Sequence, residues 1–232
     1  MPVAPRLAWM CLLLVPLSWS SCACRPTSTA LSEPCRALLL AAPAAWTERL
    51  APVHAGGHAA SALLLPMLRE RPEAPGAPAA TALLGRLGGD GVVAFLVEQM
   101  NDRSPVATEA ALALGELRAT AAQPDLLACV HDHLADPTLR TAAACALVRV
   151  GAATAASPLL HAVLLAGTPA GTSLASAQGL PDRPRWALER YLVQRLLLSE
   201  GAIDLATELD PDASWPRLEA VTARVMQWLA SR

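Results

Sequence analysis

Apolar positions between residues 79 and 167 recur at three- and four-residue intervals. In the best-marked stretch Leu139, Ala143, Ala146, Leu147 and Val150 fall on one helical face, with alanines that allow neighbouring helices to approach closely. The punctuation predicts where such helices start. Ser104-Pro105, Asp136-Pro137 and Ser157-Pro158 each place a side-chain oxygen before a proline. Proline suits a first helical turn, because the amide hydrogen it lacks is unpaired there anyway. Pro124 marks another start, and Gly151 a helix end in the left-handed region. Outside this stretch, Leu31–Arg71 predicts two helices interrupted at Pro43 and Pro66, and Gly167–Pro181 predicts a loop. Closing helices are expected at Pro184–Ser199, Ala202–Leu209 and Pro216–Ser231, with Trp186, Trp215 and Trp228 covering the open end of the stack.

The helical stretch repeats itself. Val106–Leu117 superimposes on Leu139–Val150, 33 residues on, and Leu126-Leu-Ala-Cys-Val130 matches Leu159-Leu-His-Ala-Val163 at the same offset. Leu83-Leu-Gly-Arg-Leu87 matches Ala113-Leu-Gly-Glu-Leu117 at an offset of 30. A period in the low thirties with two helices per unit is the pattern of a helical solenoid. Asp102-Arg-Ser-Pro-Val-Ala-Thr-Glu-Ala-Ala-Leu-Ala-Leu-Gly-Glu-Leu117 and Asp136-Pro-Thr-Leu-Arg-Thr-Ala-Ala-Ala-Cys-Ala-Leu-Val-Arg-Val-Gly151 resemble HEAT repeats of the short bacterial type related to bilin-lyase repeats. The resemblance covers roughly two-fifths of the chain. It implies an all-α, right-handed α-solenoid of antiparallel helix pairs with capping helices at the C-terminus, and a protein-binding scaffold rather than a catalyst. Arg140 and Val148 depart from the pattern, standing where the preceding unit has Ala107 and Gly115. The expected division is a signal peptide at 1–21, a tether at 22–30 and N-terminal helices at 31–75. Repeats follow at 76–166, a loop at 167–182 and capping helices at 183–232.

Composition agrees with helix and removes several chemistries. The chain is 53% hydrophobic, dominated by Ala and Leu, with one Phe and one Tyr. Sheets prefer β-branched and aromatic residues. All 18 basic residues are Arg, so Schiff-base and phosphate-loop lysines are excluded. Without the leader, 17 arginines face 20 carboxylates with no basic stripe, an unfavourable balance for nucleic acid or for an anionic membrane surface.

Residues 1–24 read as an export address. Arg6 supplies the charge, Leu7–Leu17 the apolar run, and Ser18, Ser20, Ser21 and Ala23 the small residues. The run is about half of the ~20 residues that span a bilayer. Leu17-Ser-Trp-Ser-Ser-Cys22 resembles a lipobox, which implies lipid on Cys22; Trp19 occupies a position where leucine is usual. Cleavage after Ala23, or lipid on Cys24, are the alternatives. A lipid would hold the protein on a bacterial envelope membrane without a spanning helix. Leu50–Leu68 and Gly151–Pro181 lack charge, but Gly, Pro, His, Ser and Thr break them into core helix plus loop.

Candidate chemistry is sparse. His54 and His58 are four apart but separated by Gly56-Gly57. Cys129 and His133 are also four apart, on an expected helix, and His161 lies in the next unit. Together they form a weak candidate metal set, the basis of an alternative reading as a metal- or tetrapyrrole-handling protein. His-Glu pairs of the kind found in diiron HEAT enzymes, a serine-nucleophile elbow and a glycine-rich phosphate loop are all lacking. No cofactor is therefore expected. Cys24–Cys35 and Cys129–Cys145 are candidate disulfides, with buried free thiols as the other reading. Arg86, Glu116 and Arg149 occupy equivalent positions on successive second helices. They are the candidate protein-binding surface, or else a solvated stitch between units. The expected function is a non-enzymatic envelope scaffold for a protein partner.

Overall fold

The computed structural model describes residues 28–168, 171–181, 186–209 and 215–232. The expected leader, with Cys22 and Cys24, lies outside the described residues. All regular structure among the described residues is helical, and no described helix is long and apolar enough to cross a membrane. The chain divides into two compact units, Met1–Val92 and Val93–Arg232, a division that falls inside the stretch expected as one array.

The first unit contains α1 (Ser28–Leu39), α2 (Trp46–His54), α3 (Gly57–Glu70) and α4 (Ala77–Leu87). The helix α1 packs on the other three around Leu38, Val53, Leu64, Leu68 and Leu84, all fully buried. Each such side chain contributes roughly 1.5–3 kcal/mol through burial. Trp46 lies in the same core and donates its indole N–H to the Ala41 carbonyl at 2.9 Å.

Three helices stand between residues 28 and 71 where two were expected. Pro43 does mark a break, opening a single 3-10 turn before α2. Pro66 does not: it lies inside α3, exposed, between the buried Leu65 and Leu68. Burial of that leucine face outweighs the one backbone hydrogen bond proline forfeits. The second break comes instead at Gly57, whose φ of +55° ends the path of α2.

The second unit holds α5 (Val92–Asn101), which starts at the boundary, and α6 (Ala107–Glu116), α7 (Gln123–His131), α8 (Pro137–Arg149) and α9 (Ala153–Leu165). It continues with α10 (Thr172–Ala177), α11 (Ala187–Ser199), α12 (Ile203–Glu208) and α13 (Trp215–Ala230). The centre of this unit is α8. Every residue from Leu139 to Val148 is buried, with α6, α7, α9 and α11 packed around it. Such all-round burial is feasible because four of the ten are alanines, which leave room for close neighbours. One close approach is at Gly115 of α6, where an added Cβ would lie 2.9 Å from the Cα of Ala146. On the outer side, α13 and α10 pack on α9, and α12 bridges α11 and α13.

The predicted helix ends fare unequally. Asp136 caps α8 as expected, accepting the Thr138 amide at 2.8 Å, with Pro137 in the first turn. Ser104 does not cap; its hydroxyl is buried without a partner, and α6 starts at Ala107. Ser157-Pro158 opens no helix but lies inside α9, the hydroxyl donating back to the Ala153 carbonyl at 3.0 Å. The interval 167–181, expected as a loop, contains the short α10.

The C-terminal ends are the most regular feature. After α6, Leu117 N–H reaches Ala113 O, and Ala119 N–H reaches Leu114 O around Arg118 at φ +49°. After α8, Val150 reaches Ala146 and Ala152 reaches Leu147 around Gly151 at φ +90°. Every donor and acceptor in the second set stands 33 residues after its counterpart in the first. The end of α11 repeats the closing bond, Ala202 to Leu197, around Gly201 at φ +79°.

Candidate functional surface

The C-terminal ends of α6, α8, α11 and α13 bring a set of charges together. Two of the residues singled out in the sequence meet there: Arg149 lies 2.7 Å from Glu116. Arg195, on the middle of α11, approaches the same carboxylate at 3.7 Å. Arg149 also reaches Glu200 at 3.8 Å, and Glu200 takes Arg118 and Arg232, each at 3.3 Å. Four guanidinium groups thus share two carboxylates. The sharing is not evenly exposed. The side chains of Arg149 and Glu200 keep only 10% and 9% of their accessible surface, whereas Arg118 keeps 67%. Arg149 is therefore chiefly an internal tie between helices, and the solvent-facing charge belongs to Arg118 and Arg232. Arg86, the third member of the expected series, is an exposed residue of the first unit, in the last turn of α4.

Beneath this network lies a small crevice lined by Leu112, Cys145, Ala146 and Leu192. Burial pushes the Cys145 thiol up to about 12, against the weaker pull of Arg149 and Arg195. Burial likewise raises the Glu109 carboxyl above its usual range, opposed by its own backbone hydrogen bond and by Arg195. Neither group has the profile of an activated nucleophile.

A second polar construction holds the opposite end of α8. Arg140, only 1% exposed, donates from Nε to the Val130 carbonyl at 3.0 Å and from Nη2 to the Gln178 carbonyl at 2.7 Å. It joins the last turn of α7 to the segment following α10. Its Nη1 has no partner. Burial disfavours the charge and lowers the Arg140 pKa from its ordinary value, opposed by Cys129 and by the Asp132 carboxylate; the dipoles of those helix ends also favour the charge. Arg190 plays a similar part for α9, donating from Nε to Leu164 O at 3.2 Å and also to Ala166 O. The sequence signalled Arg140 only as a departure from its repeat equivalent; it gave no hint of Arg190, Arg195 or Glu200, whose partners are distant along the chain.

The weak metal set is not assembled. α7 ends at His131, so His133 lies in the following turn rather than one helical turn beyond Cys129. The His133 ring packs against Gly179, where a Cβ would lie 1.8 Å from Nδ1. His161 stands in the middle of α9. Among the described residues no three His, Cys, Asp or Glu side chains gather to hold a metal ion. His54 ends α2 and His58 opens α3, on either side of the Gly57 break.

Cys129 and Cys145 are free thiols with different surroundings, the second of the two readings, and the candidate tie between α7 and α8 is not present. Cys129 neighbours Asp132, Arg140 and Arg103; Cys145 neighbours Arg149 and Arg195. Cys35 is a third free thiol, fully buried in the first unit; its proposed partner Cys24 is outside the described residues. Burial lifts Cys35 and Cys129 to about 11, from an ordinary 9.0. All three should resist alkylation at pH 7.5 until the chain is unfolded. Above pH 9 the unfolded chain releases the Cys145 proton that the folded protein retains, so stability should fall as pH rises. The expected slope from Cys145 is about 1 kcal/mol per pH unit, read by denaturant titration at pH 8, 9 and 10. A flat profile, with rapid native-state alkylation, would show Cys145 to be solvent-accessible.

The tryptophans divide. Trp186 is 2% exposed, consistent with a covering role. Trp228 is half-buried, with the Arg232 guanidinium 4.7 Å from its ring centroid. The Trp215 side chain lies outside what is described. No family model, no curated protein and no solved structure matches this chain.

Proposed function

We propose that this protein is a non-enzymatic scaffold of HEAT-like repeats, a right-handed α-solenoid that binds a protein partner at the bacterial cell envelope. Export depends on the leader, and lipid on Cys22 holds the mature chain on a membrane. The observation that carries the repeat reading is the 33-residue recurrence, present in the sequence and again in the bonds that close α6 and α8. Further support comes from the neighbours of α8: α6 and α11 both pack on it, as adjacent second helices of a stack would, and so do α7 and α9, as first helices would. The partner surface is then carried by second helices, with Glu116 and Arg149 on those of the second unit and Arg86 on α4 of the first. Because α8 is buried all round, its exposed portions come from α6 and α11, with Glu116 and Arg149 setting their spacing.

The test is affinity capture from envelope extracts with the mature chain and with Arg86→Glu, a substitution at an exposed site, the melting curves of both being compared first. The account expects one envelope protein to be recovered reproducibly and lost with the variant. Recovery of none, together with turnover of a small molecule by the purified protein, would reverse it. Mass spectrometry of the mature N-terminus checks the address: a diacylglyceryl group on Cys22 supports it, and a free N-terminal Cys24 opposes it.

A further inference from the structure

The described aspartates are not held alike. Asp125 lies in α7 and accepts from Asn101 Nδ2 at 3.0 Å, and Asp132 pairs with Arg103. Asp136 caps α8 and precedes Pro137, which has no amide hydrogen. Asp204 lies in α12, and Asp102 precedes Arg103, whose Cβ crowds the amide between them. Asp90 differs from all of these. It stands in the link from α4 to α5, Gly88-Gly89-Asp90-Gly91, whose glycines have φ of +63°, +118° and +74°.

Gly89, Asp90 and Gly91 are all exposed, and the Asp90 side chain has no ion pair or hydrogen bond among the described residues. The Gly91 N–H has no acceptor either. The link rests on α3 at Gly89, where a Cβ would meet His58 Nδ1 at 3.3 Å and Ser61 Cβ at 3.5 Å. Past that point it is open: a Cβ at Gly91 would find only Leu65 Cδ1 within reach, at 3.9 Å. In an aspartyl-glycyl pair the side-chain Cγ and the next amide nitrogen can close a five-membered ring, a reaction that needs no encounter. Glycine supplies no Cβ to block the approach and lets the backbone turn into it. Asp90 is the one described aspartate that combines a free carboxyl, a free neighbouring amide and room for the ring.

We infer that Asp90 is a site of spontaneous backbone modification, isomerising through a cyclic imide with Gly91 to isoaspartate. The Gly91 nitrogen bonds to Asp90 Cγ, and its proton leaves with the carboxyl OH as water. Water then reopens the ring. Attack at Cγ restores aspartate; attack at the Asp90 backbone carbonyl leaves the chain running through Cγ, with the α-carboxylate as the side group. Mass is unchanged and no oxidant or reductant takes part. The new link carries one more backbone atom, inside the turn that Val92 N–H closes onto Gly89 O at 3.3 Å, so that bond is lost. Its free α-carboxylate makes the product a substrate for a carboxyl methyltransferase that recognises isoaspartate. The inference is independent of the partner proposed above.

The purified, folded chain is aged at physiological temperature and neutral pH, and samples are digested with trypsin. The peptide Leu87–Arg103 carries Asp90, and Ala119–Arg140 carries Asp125, Asp132 and Asp136. Isoaspartate is read as a peptide of unchanged mass and shifted retention, located by electron-transfer fragmentation, and as methyl groups accepted from an isoaspartyl methyltransferase. It should accumulate at Asp90 at a rate within about threefold of that in free Leu87–Arg103, as for a loop whose opening costs close to nothing. Ala119–Arg140 from the same samples should gain at least about tenfold less, because its aspartates are held until their segments open. Asp90→Glu keeps the charge at an exposed position but would need a six-membered ring, so methylation of Leu87–Arg103 should vanish. An Asp90 that stays intact in the folded chain while the free peptide isomerises overturns the inference, since the link would then be held. Undiminished methylation in Asp90→Glu overturns it as well, by placing the reaction elsewhere in the peptide.

Discussion

Replacing Gly115 by valine should lower the stability of the Val93–Arg232 unit by about 3 kcal/mol, the upper range for overpacking a tight site. The site has no space to give. A Cβ at this position would stand 2.9 Å from the Cα of Ala146, 3.1 Å from its Cβ and 3.2 Å from the Arg149 side chain. All three contacts lie on α8, a helix buried from Leu139 to Val148, which cannot retreat without disturbing α7, α9 or α11. The alanine variant separates two effects of opposite sign. Exchanging glycine for alanine within a helix gains about 1 kcal/mol in propensity, so the net loss for Gly115→Ala should be nearer 1 kcal/mol. Thermal melts followed by far-UV circular dichroism would read the valine variant as a fall of roughly 10 °C. If Gly115→Val melts with wild type, α6 and α8 are not in this contact.

Arg140→Ala should cost about 3 kcal/mol, for a different reason. Two carbonyls at helix ends, Val130 O and Gln178 O, lose their donor, and each buried orphan costs roughly 1–3 kcal/mol. A void adds to the loss, while relief from burying a guanidinium with an unpartnered Nη1 opposes it. Arg140→Met keeps most of the volume and removes the charge, so it should cost only about 1 kcal/mol. Denaturant unfolding of both variants decides the matter. If alanine and methionine are equally harmless, the link from α7 to the segment after α10 carries no stability.

These two positions also show how far the sequence could be read. Both belong to the comparison of repeats: Gly115 matches Gly85 at the offset of 30 and gives way to Val148 at 33, and Arg140 departs from Ala107. That comparison placed Glu116 beside Arg149 before any coordinates, because equivalent positions on neighbouring helices lie side by side. It also located both ends of α8, where Asp136 caps and Gly151 turns. Local chemistry misled elsewhere. Ser157 and Pro158 look like a helix start, but Leu159, Leu160, Val163 and Leu164 are all buried, and their packing carries the helix four residues further back, to Ala153. Pro66 is overridden in the same way by the leucines beside it. Contacts set by tertiary geometry were out of reach: nothing local to Glu200 shows that Arg118, Arg149 and Arg232 converge on it from three other helices. The His133 error had a local cause, since a short helix followed by a turn places its third and fourth neighbours on different paths.

Amide hydrogen exchange across the Val93–Arg232 unit tests the architecture most directly. If α8 is the helix about which α6, α7, α9 and α11 pack, its amides from Thr141 to Val148 open only when the whole unit unfolds. They should be the last to exchange, with free energies equal to global stability, while α10 and α12 exchange sooner. Exchange of α8 as fast as that of α12, under conditions where the unit remains folded, would contradict the account.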